Sequence, residues 1–178
     1  MHSLRRVAGE LGIPERTLRR AASGDLLHGE RVSPRRFQVS LREESYLRTH
    51  WPLLRALRGA LRTEPNVRLA VLFGSTATGT DEESSDTDVL VALRDSDLRR
   101  LAELSERLTR TLAREVHLAG LSEAQASPAL ILDVLEHGRV LVDRDDLWSG
   151  LQRRAPRWRR LARGAERSLA VGLDAPAP

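Results

Sequence analysis

The chain has 178 residues, 40% hydrophobic and 30% charged, with only 3% aromatic residues and a formal net charge of +4, so it is globular with a core built mostly from Leu, Val and Ala. It has no cysteine, which excludes disulfides, thiolate metal sites and a cysteine nucleophile. All 29 basic residues are arginine, which excludes a lysine Schiff base and the lysine of a Walker A loop.

Charge is unevenly placed. Residues 1–63 carry 13 Arg against 6 acids, residues 64–148 carry 9 against 17, and residues 149–178 carry 7 against 2. A basic head, an acidic middle and a basic tail suggest separate roles. The expected division is a head over 1–40, a connecting helix over 41–63, a second domain over 64–148, and a basic helix with a tail over 149–178.

In chain order, Leu4, Val7, Ala8 and Leu11 recur at helical spacing and Gly12 ends the run. Pro14 stands at the first turn of a second helix that Ser23-Gly24 closes. Residues 24–40 read as short apolar pairs between turn formers, with His28-Gly29-Glu30 as a tight turn, which suits a wing beside two helices. Residues 41–63 are helical, with Leu47, Trp51, Leu54, Leu57 and Leu61 on one stripe and Pro52 as a kink or restart. Residues 67–73 (VRLAVLF) read as a buried strand, 74–85 as a polar loop, and 86–93 (DTDVLVAL) as a second strand. A helix follows over 95–114, capped by Asp95 or Ser96, with Leu98, Leu101, Leu104, Leu108 and Leu112 on one face. Residues 116–121 form a third strand, 122–137 a helix closed by Gly138, 139–143 a fourth strand, and 145–169 a helix that Pro156 bends. The last five residues read as a disordered tail. The alternation predicts an α/β (α+β) fold.

The strongest pattern is Gly74-Ser75 directly after a strand, ten residues, then Asp86-Thr87-Asp88 running into a strand. Residues two apart on a strand share a face, so Asp86 and Asp88 project together, with Val89 and Val91 opposite. Paired carboxylates repel unless a cation lies between them, and a hard ion such as Mg²⁺ favours such oxygen ligands with a phosphate completing its shell. Gly74 permits close approach of a phosphate, and Ser75 offers a hydroxyl and an N–H. A solvated acidic loop is the competing reading, because five acids fall within eight positions.

This combination resembles the minimal nucleotidyltransferases of the DNA polymerase β superfamily, over LFGSTATGTDEESSDTDVLV, the following helix, VHLAGL and RVLVDRD. The resemblance implies a small mixed sheet flanked by helices, with the helices on one face. It implies Mg²⁺ or Mn²⁺ on Asp86 and Asp88, and Gly74 and Ser75 on the phosphates of ATP or another nucleoside triphosphate. It implies transfer of a nucleoside monophosphate, commonly AMP, to a protein or small-molecule hydroxyl. Some members are antitoxins that modify a toxin partner. Two positions depart from the family. His117 stands where a third carboxylate is usual and is the candidate catalytic base, with Glu115 as substitute if the strand starts early. Thr78 stands where an Arg is frequent.

Residues 5–24 form a second pattern, RRVAGELGIPERTLRRAASG, that resembles the winged helix-turn-helix of MerR-like regulators. By that resemblance Arg16, Thr17, Arg19 and Arg20 face double-stranded DNA, and Arg31, Arg35 and Arg36 of the wing contact phosphate. An ordinary helical hairpin is the alternative. Residues 1–40 carry only 8 Arg against 4 acids, so DNA binding calls for a homodimer. The longest apolar runs are far short of a membrane span, and MHSLRRVAGELG lacks a signal-peptide core. A cytoplasmic protein with no membrane partner is expected. Two functions follow: a nucleotidyltransferase with a DNA-binding head, such as an autoregulating antitoxin, or a DNA-binding regulator whose degenerate transferase domain only binds nucleotide or a partner.

Overall fold

The computed structural model describes residues 1–34, 36–95 and 97–173, with side chains as far as Gly164. Ser3 starts α1 (Leu4–Leu11) by accepting from the Arg6 N–H, and Gly12 closes it. Pro14 is the N-cap of α2 (Glu15–Ser23), one place ahead of the expected first-turn position. Three short strands complete the head: β1 (His2–Ser3), β2 (Glu30–Ser33) and β3 (Arg36–Val39), an antiparallel sheet in the order β1-β3-β2. The chain reverses between Ser33 and Arg36, not at His28-Gly29-Glu30. Leu26 and Leu27 are buried, and the His28 N–H donates to Glu43, so this stretch is anchored to the core and is unavailable as a hairpin arm. Arg35 lies outside the described residues.

Helix α3 (Leu41–Arg62) is capped by Ser40, which accepts from the Glu43 N–H, and continues through Pro52 as one element. Its stripe Leu47, Leu54, Leu57 and Leu61 is fully buried, each leucine contributing about 2–3 kcal/mol. One apolar cluster joins this stripe to Leu18, Leu26 and Val39 of the head and to Val67, Ala70 and Val89 beyond it. The core is therefore continuous from head to sheet.

The central sheet has β4 (Val67–Phe73), β5 (Thr87–Leu93), β6 (Val116–Gly120) and β7 (Arg139–Asp143), in the order β6-β5-β4-β7. β4 runs antiparallel to β5 and β7, and β5 runs parallel to β6, which makes the sheet mixed. Helices cover both faces, not one. Ala70 and Leu72 join the cluster with α3, while Leu69 and Val71 meet Ile131, Val134, Trp148 and Trp158. This two-sided cover explains why β4 reads as a continuous apolar run.

The segment 74–85, expected to be loop throughout, opens with a short helix, α4 (Gly74–Thr78). Helix α5 (Leu98–Leu112) is capped by Asp97, which accepts from the Arg100 N–H at 2.7 Å, and not by Asp95. Ser96 lies outside the described residues. Leu104 and Leu108 are buried, but Leu98 is 76% exposed, because it is the first residue of the helix and off the packed face. The single helix expected over 122–137 is two, α6 (Leu121–Ala124) and α7 (Pro128–His137). Pro128 ends the first by restricting the residue before it and opens the second. Helix α8 (Leu147–Leu173) runs through Pro156. Asp143 starts it by accepting from the N–H groups of Leu147 and Trp148. Side chains beyond Gly164 and residues 174–178, the expected tail, lie outside the description. Among the described residues, no helix is long and apolar enough to cross a membrane.

Candidate functional site

The site forms at one end of the sheet, where β4 hands over to α4 and β5 begins. The antiparallel register sets Phe73 opposite Asp88, and the parallel register sets Asp88 opposite His117. Asp88 therefore lies between the Gly74 turn and β6. Gly74 has φ +72°, and a Cβ there would lie 2.8 Å from Asp88 Oδ2. Only glycine fits both the left-handed backbone and the approach of that carboxylate. The Ser75 hydroxyl makes no hydrogen bond among the described residues. Thr78, the last residue of α4, turns its hydroxyl back onto Ser75 O at 3.0 Å, and Gly79 is the cap.

Asp86 precedes β5 and faces β6. Its Oδ2 is 3.5 Å from His117 Nδ1, and His117 Nε2 is 3.0 Å from Glu115 Oε1. Thr87 N–H donates to Glu115 O at 2.9 Å. Backbone pairing thus begins at Glu115, and Glu115 and His117 lie on one side of the strand. One potential ligand atom from each of Asp86, Glu115 and His117 lies within 4.8 Å of the others. These side chains are 41%, 66% and 54% exposed. Burial raises the Asp88 carboxyl above its usual range, the Asp86 charge adds to this, and His117 opposes it. The hydrogen bond to Glu115 raises the His117 imidazole above its ordinary value, and the charges of Asp86 and Asp88 act the same way. Two carboxylates and one imidazole, with the Asp88 carboxylate at the second position of β5, form a donor set suited to a divalent cation.

A second group of residues, absent from the sequence reading, fixes the loop from behind. Tyr46 OH donates to Thr76 O at 3.1 Å, and Arg139 Nε donates to Ala77 O at 2.7 Å. Thr76 in turn donates to Asp86 O at 3.1 Å. Arg139 also grips Glu43 with two bonds of 2.6 and 2.8 Å, and its guanidinium lies 3.5 Å from the Tyr46 ring centroid. Farther along, Asp81 accepts from Arg114 at 2.8 Å and is 2.7 Å from His50 Nε2. Arg114 also donates to Ser85 O, and the His50 ring stacks on Tyr46. Burial pushes the Asp81 carboxyl up, but the bonds from Arg114 and His50 outweigh it and hold it below the usual range. The sequence signal for this network is faint: an Arg opening the apolar strand RVLVD, and a Glu43 that reads as an ordinary first-turn acid.

In the head, Arg16, Arg19 and Arg20 are exposed and line one shallow depression with Ser23. Arg19 is paired with Glu15. Thr17 is half-buried and turned toward α3, because it shares the side of α2 that packs on the core. Arg31 lies over the Phe37 ring at 5.9 Å, and Arg36 is exposed at the start of β3.

Residues 56–147 match the family model described as Polymerase beta, Nucleotidyltransferase. Comparison with curated proteins finds no match. Among solved structures, a chain of a toxin-antitoxin complex with AMP-PNP is similar at TM-score 0.58 and 24% identity, over 68% of this chain and 98% of that one. A chain of the MntA-HepT toxin-antitoxin complex is similar at 0.54 and 21%, over 70% and 99%. A chain of the complex of the tri-AMPylated HEPN toxin of Shewanella oneidensis with MNT antitoxin is similar at 0.55 and 21%, over 71% and 100%.

Proposed function

The chain belongs to the polymerase beta nucleotidyltransferase family, and on that premise we propose that it moves AMP from ATP to a hydroxyl on a toxin-like protein partner. The observation that carries this reading is the convergence of Gly74 of α4, Asp86 and Asp88 at the start of β5, and Glu115 and His117 at the start of β6 at one end of the sheet. Asp86 and Asp88, with Glu115 alongside, would hold Mg²⁺ or Mn²⁺, which supplies charge neutralisation at the transferring phosphate. Gly74 lets the Asp88 carboxylate close on the turn, and Ser75 offers its N–H and hydroxyl to phosphate oxygens. The acceptor oxygen bonds to the α-phosphorus, its proton passes to His117, and pyrophosphate leaves. Glu115 orients the imidazole through the 3.0 Å contact and stabilises its protonated form. The relatives found in complexes with toxins, one of them tri-AMPylated, support the choice of acceptor.

Two experiments test this. Thermal unfolding with ATP, GTP, CTP or UTP, with and without Mg²⁺ or Mn²⁺, reads binding alone: a ligand at 100 times its Kd adds about 2.7 kcal/mol. Transfer from α-labelled ATP to a co-purified partner reads turnover. A metal-dependent shift with transfer supports the enzyme. A shift without transfer to any partner favours the second function, a regulator that only binds nucleotide. No shift with any nucleotide sinks the nucleotide site.

The exposed arginines of α2 and the β2–β3 hairpin support the winged helix-turn-helix reading of the head, with double-stranded DNA as partner and a homodimer supplying useful affinity. The whole would be a cytoplasmic antitoxin that binds its own operator.

A further inference from the structure

Helix α3 presents Arg55, Arg58 and Arg62 on the side facing α2. They recur at i, i+3 and i+7, a row of about 10 Å on one helix face. With Thr17 and Trp51 they line a cavity of about 200 Å³ between the two helices. Arg58 and Arg62 also line an adjoining depression of about 450 Å³ against β7, and Gly24 joins that depression to the one lined by Arg16, Arg19 and Arg20.

The lining of the α2–α3 cavity is rich in donors and has no carboxylate. Among the described residues, Arg16, Arg20, Arg55, Arg58 and Arg62 make no ion pair. Arg58 Nε and Trp51 Nε1 are buried with no hydrogen-bond partner, and Trp51 is only 6% exposed. In the depression against β7, Asp143 is the one carboxylate, and it is turned to the first N–H groups of α8. Burial and the neighbouring Arg62 both disfavour the Arg58 charge. Unsatisfied donors and unpaired like charges in one place are costly, and a ligand that only accepts hydrogen bonds would relieve both. A single small anion would occupy one depression. Three adjoining depressions along a continuous arginine track fit a polyanion with regular charges, and a DNA duplex carries one every ~1.7 Å of its axis.

We propose that the groove between α2 and the C-terminal half of α3 is a phosphate-binding track for duplex DNA, with Arg58 and Arg62 at its centre and the exposed Arg55 beside them. This rests on the reading of the head as a DNA-binding module, and it moves the main grip from α2 and the hairpin to α3.

The test is fluorescence anisotropy of a labelled duplex across a salt series, with the full chain and the variants R58M/R62M, R58K/R62K and R16Q/R20Q, each also followed by thermal unfolding. R58M/R62M is expected to weaken binding about tenfold and to lower the slope of log K against log salt by about 2, the loss of two phosphate contacts. Its Tm should equal or exceed that of the wild type, because the buried unpartnered Nε of Arg58 and the like-charge pair with Arg62 have been removed. R58K/R62K keeps the charges and should keep the salt slope. Wild-type binding and slope in R58M/R62M, with loss in R16Q/R20Q, overturns the groove and leaves the head reading standing. Weakening that only follows a fallen Tm makes the row structural and also overturns the proposal. Failure of the wild type to bind duplex at low salt overturns the head reading, and the groove with it.

Discussion

Two charged groups lie on either side of the α4 loop, and they are built in opposite ways. Behind it, Arg139 and Glu43 are 3% and 5% exposed, and the Arg139 guanidinium is shared among Glu43, Ala77 O and Leu26 O. In front of it, Asp86, Glu115 and His117 are largely open to solvent, and His117 meets Glu115 at 3.0 Å and Asp86 at 3.5 Å. The first group spends its charges on the fold, so it can hold backbone carbonyls in place. The second holds two carboxylates close together in solvent with only an imidazole between them, where a cation can replace or join it. Positioning and reactivity are thus assigned to different residues joined through Thr76, whose carbonyl takes the Tyr46 bond and whose hydroxyl reaches Asp86.

The sharpest way to break this division is D86N/D88N. Transfer of label should fall by about 10⁴, equivalent to about 5.5 kcal/mol of transition-state stabilisation, while Tm stays level or rises as carboxylate repulsion is relieved. Retained transfer would remove both residues from the site. The converse is Glu43→Gln, which strands Arg139. A broken buried pair costs about 3–5 kcal/mol, or a Tm fall on the order of 10 °C at this chain length. Unchanged thermal unfolding would show that the clamp is dispensable.

His117→Gln should come next, lowering turnover by about 10², the low end of general-base contributions, with nucleotide-induced thermal shifts intact. Glu115→Gln should cost less than His117→Gln if it acts through the imidazole. The reverse order would make Glu115 the base. The smallest effect belongs to Asp81→Asn, about 1–2 kcal/mol in urea unfolding at pH 7. The Asp81 carboxyl is held below its usual range in the folded chain. Its stabilisation is therefore present above the unfolded value and lost as pH falls through the folded one. Wild type and D81N should differ at pH 7 and converge in acid, and a difference independent of pH would assign the loss to packing.

The site was more legible than the clamp because its residues lie close in sequence. Gly74, Ser75, Asp86 and Asp88 fall within fifteen positions, and the strand pattern around them sets their register. His117 was reachable only through the family resemblance, as the residue standing where a third carboxylate is usual, and the parallel pairing that sets it opposite Asp88 belongs to the fold. The clamp partners are 30 to 113 positions apart, and neither period nor motif connects Leu26, Glu43, Tyr46, Ala77 and Arg139. The same reason explains the two-residue β1, which exists only because β3 pairs with it, and the break before α7, where an unbroken apolar pattern hid the effect of Pro128.

The sequence by itself determined the strands 67–73 and 139–143, the apolar stripe of α3, the glycine and aspartate motif and the uneven charge. These depend on local periodicity and on spacings of a few residues. The tertiary structure alone decided that one core runs from head to sheet, that helices cover both sheet faces, that Thr17 turns inward, and that Arg58 and Trp51 carry unmatched donors in a shared groove. Burial and pairing are properties of surfaces brought together across the chain, and a linear pattern carries no measure of them until the fold closes.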